Sequence, residues 1–120
     1  MNKKTLVLGA SLNPDRYSNL VIQKLMGHNI EVFAFGLKKG IVAGVNITDK
    51  LLSYPNIHTV TLYLNSNNQK QYYNYVVALK PRRVIFNPGT ENPEFYGILK
   101  ENNIDYEVAC SLVLLSTNQY

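Results

Sequence analysis

A Rossmann-like α/β fold, a doubly wound sheet of five parallel strands in the order 3-2-1-4-5 with helices on both faces, is what this sequence predicts. Short runs rich in valine and isoleucine alternate with segments of helical periodicity along the whole chain. Several of these runs hold three or more consecutive apolar residues, as suits strands buried on both faces. Turn residues separate the two kinds of segment, and right-handed crossovers then set helices on both faces of the sheet.

The first expected strand is 5–8, Thr-Leu-Val-Leu. A helix over 19–26 follows: Ser18 or Asn19 caps it, Val21, Ile22 and Leu25 line one face, and Gly27 supplies a left-handed stop. The second strand is 30–35, a short helix at 49–52 is closed by Pro55, and the third strand is 57–64. Tyr72, Val76 and Leu79 give a helix over 67–79 its apolar face, and it ends before Pro81. The fourth strand is 83–86. A helix over 94–100 then starts with Asn92 as cap and Pro93 at the first position, where a missing N–H costs nothing. The fifth strand is 106–109, with 111–115 either extending it or opening a terminal helix.

At 120 residues and 46% hydrophobic content the chain makes one domain over 1–120. A domain of that size buries roughly two-thirds of the surface its unfolded chain exposes. Cys110 is the single cysteine, which rules out an intramolecular disulfide or a cysteine zinc cluster and favours a reducing compartment. No apolar run approaches the ~20 residues that span a bilayer, so the expectation is a cytoplasmic protein with no membrane partner. The net charge of +4 suits anionic ligands. Arg16, Lys38-Lys39 and Arg82-Arg83 are scattered, however, and Tyr72-Tyr73-Asn74-Tyr75 has no interleaved cation, so no nucleic-acid partner is expected.

In such a sheet the ligand sits at the carboxyl ends of the strands where the winding reverses, here strands 1 and 4. That rule names two loops. The first, Gly9-Ala10-Ser11-Leu12-Asn13-Pro14-Asp15-Arg16-Tyr17-Ser18-Asn19, runs into a helix N-terminus. Its small residues let a phosphate approach, free N–H groups and the helix dipole favour an anion, and Arg16 adds a cation able to pair bidentately. It has one glycine where the dinucleotide pattern G-x-G-x-x-G wants three, which disfavours NAD. After strand 2, Gly36-Leu37-Lys38-Lys39-Gly40 puts lysines where an NAD enzyme places its ribose-binding acid. Lysines suit a phosphorylated ribose: a 2′-phosphate means NADP, a 3′-phosphate coenzyme A. In the second loop, Asn87-Pro88-Gly89-Thr90-Glu91-Asn92, Gly89 leaves room for a ligand chain while Asn87 and Thr90 offer neutral hydrogen bonds. A plain solvated turn remains the other reading of each loop.

Leu8-Gly9-Ala10-Ser11, Asn13-Pro14, Arg16-Tyr17-Ser18-Asn19, Gly27-His28, Lys38 with Gly40 and Gly44, and Asn87-Pro88-Gly89 together resemble the small single-domain CoA-binding proteins. Their Rossmann-like domain is also similar to the N-terminal domain of the succinyl-CoA synthetase alpha subunit, whose activity does not carry over because no phosphorylated-histidine segment matches. The resemblance implies coenzyme A bound across the loops after strands 1, 2 and 4. Gly9, Ala10, Ser11, Asn13, Pro14, Arg16, Tyr17, Ser18, Asn19 and Lys38 would lie nearest the diphosphate and adenosine, and Pro88, Gly89 and Thr90 toward the pantetheine arm. Asn65 stands where relatives often carry a basic residue after strand 3, and Asn87 where they carry a glutamine.

No catalytic or metal site is expected. His28 and His58 fall at the amino ends of strands, away from the ligand edge, and neither has a second ligand at metal spacing. Cys110, just after the fifth strand, could face the ligand edge but reads more simply as a buried, inert thiol, and Asp15, Glu91 and Glu94, the nearest acids, form no pair. The resulting expectation is binding of coenzyme A or an acyl-CoA without chemistry. The alternatives are an NADP-dependent enzyme, or an interaction protein that has lost its cofactor and presents Tyr72, Tyr73 and Tyr75 to a partner.

Overall fold

The computed structural model describes residues 2–120. Along the chain come β1 (Thr5–Leu8), α1 (Tyr17–Gly27), β2 (Val32–Phe35), β3 (Gly40–Val42), β4 (Val45–Thr48), β5 (Thr59–Leu62), α2 (Ser66–Gln69), a 3-10 turn (Lys70–Tyr72), α3 (Tyr73–Leu79), β6 (Arg83–Phe86), α4 (Pro93–Glu101), β7 (Asp105–Val108) and α5 (Ser111–Ser116).

The strands form one sheet in the order β3-β4-β2-β1-β5-β6-β7. The expected five-stranded 3-2-1-4-5 sheet is therefore corrected: there are seven strands, and β3 runs antiparallel to β4. The reason lies in residues 40–48. Ala43 and Gly44 take φ of 49° and 81°, so two residues of positive φ close a tight hairpin whose flanks are β-branched. Strand β4 then lies parallel beside β2, and β5 is displaced to the far side of β1. No helix forms at 49–52, which lie just past the end of β4. With β4 counted as the third strand, the parallel strands run 3-2-1-4-5-6. The winding still reverses at β1, but its neighbour across the reversal is β5, not β6.

Alternate residues of β1 serve two cores. Leu6 and Leu8 pack with Val60, Leu62, Val84 and Phe86 against α3 and α4 through Val76, Phe95 and Leu99. Val7 packs with Ala34 and Ile47 against α1 and α5 through Val21, Ile22, Leu25 and Leu115. Each of these helices thus covers one face of a sheet whose central strands are buried at nearly every position, and the apolar share of that burial drives association of the layers.

Helix ends differ from expectation in instructive ways. α1 begins at Tyr17 with Arg16 in the N-cap place, and no side chain caps it, neither Ser18 nor Asn19. Its left-handed stop is Asn29 (φ 58°) rather than Gly27. The single helix expected over 67–79 is broken by the 3-10 turn. α4 starts as expected, with Pro93 in its first turn and Asn92 Oδ1 accepting from Phe95 N at 3.3 Å. Residues 111–115 belong to α5.

Candidate functional site

A cleft of about 780 Å³ opens at the carboxyl ends of β1, β2 and β5, where the winding reverses. Three segments build its wall: Gly9–Asn13 with Asp15–Ser18 after β1, Phe35–Lys38 after β2, and Tyr63, Leu64, Asn68, Gln71 and Tyr72 after β5.

The loop after β1 is drawn tight against its neighbours. Gly9 takes φ 98°, and a Cβ there would stand 3.0 Å from the Tyr63 carbonyl and from Leu64 Cγ. Gly36 is held to glycine by the approach of Ala10, since a Cβ would meet the Ala10 carbonyl oxygen at 2.3 Å. The N–H groups of Gly9 and Ala10 both donate to the Phe35 carbonyl, at 3.0 and 2.8 Å. They are spent on structure. Beyond them the loop is self-bracing: Ser11 Oγ accepts from Asn13 N at 3.1 Å, Asn13 Oδ1 from Asp15 N at 2.9 Å, and buried Asn19 donates through Nδ2 to the Ser11 carbonyl at 3.0 Å.

That bracing leaves the start of α1 on the cleft wall with no side chain capping it. The N–H groups of Tyr17 and Ser18 have no hydrogen-bond partner among the described residues, and the first turn carries no acid. Such a terminus attracts an anion. The lining holds two cations, Arg16 and Lys38, both exposed, and one acid, Asp15. Tyr17 is 67% exposed and Leu37 85%, two apolar surfaces beside the cations and open to a flat ring.

Of the residues that the sequence put at the site, Gly9, Ala10, Ser11, Asn13, Arg16, Tyr17, Ser18 and Lys38 come together on the cleft wall. Pro14 is exposed and Asn19 buried beside it, outside the lining. Asn65 caps α2, accepting from Asn68 N at 3.0 Å. The loop after β6 stands one strand farther from the reversal and contributes no lining residue. There Asn87 donates to Thr61 Oγ1 and the Leu62 carbonyl at 2.7 and 2.8 Å and accepts from Ser111 N at 2.8 Å. Thr90 Oγ1 donates back to the Asn87 carbonyl at 2.8 Å, while Pro88 and Gly89 are exposed.

Sequence reasoning missed the β5 side of the cleft, because that side depends on which strand neighbours β1. Tyr63 and Leu64 follow directly from the corrected strand order. Tyr63 lines the cleft, yet its hydroxyl is buried without a partner while the nearby Thr61 and Ser111 hydroxyls bond to each other at 2.9 Å. Burial pushes its phenol far above the ordinary value, so it stays neutral.

Cys110 is half-buried just ahead of α5 and does not line the cleft. His28 caps the C-terminus of α1, with its Nδ1 2.9 Å from the Lys24 carbonyl, and His58 precedes β5 at the amino end of the sheet. Burial, followed by the charges of Arg83, Lys3 and Arg82, holds the His58 imidazole below its ordinary value. Among the described residues no three His, Cys, Asp or Glu side chains gather as a metal would need, and no helix is long and apolar enough to cross a membrane. Tyr72 is buried, while Tyr73 and Tyr75 pack against the core with their hydroxyls on Glu94 and the Leu52 carbonyl, so the three tyrosines do not form an exposed aromatic face.

A family model described as a CoA binding domain matches residues 3–116. The crystal structure of a protein described as uncharacterized is 46% identical, with a TM-score of 0.97 over 100% of this chain and 99% of that one. A hypothetical protein from Pyrococcus horikoshii OT3 is 25% identical at a TM-score of 0.85, over 97% of this chain and 83% of that one. A Thermus thermophilus protein, cell-free ID.343, shares the fold at 23% identity and a TM-score of 0.84, over 98% and 91% of the two chains. No curated protein matches the chain.

Proposed function

This chain belongs to the CoA-binding domain family, and from that premise we propose that it binds coenzyme A or an acyl-CoA in the cleft at the β1–β5 reversal. The observation that carries the reading is the uncapped start of α1 on a cleft wall that Arg16 and Lys38 also line. The diphosphate would take the Tyr17 and Ser18 N–H groups and the Ser11 hydroxyl, since the N–H groups of Gly9 and Ala10 are occupied. Arg16 would pair with a phosphate, and Lys38 would meet the 3′-phosphate of the ribose. The adenine would lie against Leu37. Asn13 and Pro14 shape the loop, and Asn19 and Asn65 act through the segments that they brace. Asn87 and Thr90 hold the loop after β6 in place, leaving Pro88 and Gly89 as its exposed points toward an arm leaving the cleft.

Lys38-Lys39 would also suit the 2′-phosphate of NADP, so the decisive experiment is a comparison of ligands. A ligand that binds only the folded state raises thermal stability by RT ln(1 + [L]/Kd). Coenzyme A is expected to shift the melting temperature most, dephospho-coenzyme A less, and NADP, NAD and ATP little. A larger shift with NADP than with coenzyme A would move the assignment to the nicotinamide cofactor. No shift with any of them would overturn the cofactor reading and leave an interaction protein whose partner meets a surface other than Tyr72, Tyr73 and Tyr75.

A further inference from the structure

Two carboxamides, three residues apart in sequence, line the β5 side of the cleft. Asn68 in α2 and Gln71 in the 3-10 turn both line it and both are exposed. Asn68 bonds to its neighbours through its backbone N–H, donated to Asn65, and neither carboxamide has a protein partner among the described residues. Between and after them the chain points inward. Gln69 is fully buried and donates to the Leu64 and Thr90 carbonyls at 2.8 Å each, while its oxygen accepts from Asn92 Nδ2 at 2.9 Å. Tyr72, 7% exposed, packs edge-on against Phe35 with ring centroids 5.4 Å apart. Residues 69 and 72 therefore pin the turn from inside and fix 68 and 71 on its open side. Side chains three apart on a helical turn have Cβ atoms about 5–6 Å apart, and each carboxamide carries both a donor and an acceptor.

We infer that Asn68 and Gln71 receive the pantetheine arm, whose two amides are separated by two methylenes and lie a comparable distance apart. The inference rests on the coenzyme A reading and adds the side from which the arm leaves the diphosphate. A nicotinamide ribose in the same place would offer one carboxamide on a rigid ring and match the pair poorly. Because Gln69 and Tyr72 hold the backbone of the platform, only the two outward side chains remain to be ordered when the ligand binds.

The test compares coenzyme A with adenosine 3′,5′-diphosphate, which keeps the 3′-phosphate and the first 5′-phosphate but lacks the second 5′-phosphate and the arm, by calorimetry on wild type and on the double variant Asn68→Ala, Gln71→Ala. The double variant is expected to weaken coenzyme A about tenfold and to change adenosine 3′,5′-diphosphate by less than about twofold. Gln71→Glu keeps the shape and loses the donor, and is expected to weaken coenzyme A about threefold with the wild-type melting temperature retained. An unchanged affinity for coenzyme A, or an equal loss for both ligands, overturns the inference and leaves the cofactor assignment standing. Failure of the wild type to bind either compound overturns both.

Discussion

The loops after β1 and after β6 draw on similar residues, each having a proline, a glycine, asparagines and a small hydroxyl, and each leads into a helix N-terminus. They spend their hydrogen-bonding capacity differently. After β6, Asn87 uses both amide hydrogens and its oxygen on Thr61, Leu62 and Ser111, and α4 is already capped by Asn92 and carries Glu94 in its first turn. After β1, the side chains brace the loop itself and leave the start of α1 uncapped, without an acid, and facing a cleft. A loop composition shared by two places thus makes a docking point in one and a structural clasp in the other. What separates them is the capacity left over once the fold has been satisfied.

If the clasp reading holds, the largest effect belongs to Asn87→Ala. It leaves the buried Thr61 hydroxyl, Leu62 carbonyl and Ser111 N–H short of a partner, and should cost about 3 kcal/mol of stability in a denaturant titration. A loss below about 1 kcal/mol would place the loop among the free ones. Gly36→Ala comes next. Its Cβ meets the Ala10 carbonyl oxygen at 2.3 Å, so the loop after β1 must shift, at a cost of about 2 kcal/mol and with lower affinity for coenzyme A. Arg16→Ala should do the reverse of Asn87→Ala: affinity for coenzyme A falls at least about tenfold by calorimetry, while stability stays within about 0.5 kcal/mol.

Smaller effects sharpen the same contrast. Lys38→Ala should narrow the preference for coenzyme A over dephospho-coenzyme A, a change of about threefold to tenfold in one affinity and none in the other. At the opposite end of the sheet His58 is held below its ordinary value of 6.5 by burial and neighbouring cations. The unfolded chain therefore takes up this proton before the native one does, and stability falls as pH drops through 6.5. His58→Gln should flatten that part of the thermal-stability profile without changing the affinity for coenzyme A at pH 7.5.

The sequence made legible what depends on local pattern. The apolar triplets Leu6-Val7-Leu8 and Val84-Ile85-Phe86 announce β1 and β6 as buried strands, and Asn92-Pro93 marks the start of α4. The hairpin of β3 and β4 escaped because Ala43-Gly44 lacks the asparagine or aspartate of a strong hairpin signal and its strands alternate exposed and buried residues. β7 shows little apolar pattern because it lies at the edge of the sheet and is largely exposed, which let its bounds slip by one residue. The site divides along the same line. Gly9–Ser18 could be found because it follows the first strand in any doubly wound sheet. Tyr63, Leu64, Asn68 and Gln71 could not, because they reach the cleft only through the long-range choice that seats β5, rather than β6, beside β1.

Amide chemical-shift mapping during a titration with coenzyme A tests the central claim most directly, since it reports each loop separately in one protein. The largest changes are expected at Ser11, Tyr17, Ser18 and Lys38, with Asn68 and Gln71 following and Thr90 nearly still. Changes concentrated at Gly89–Glu91 with residues 11–18 unmoved, or no change at millimolar coenzyme A, would contradict it.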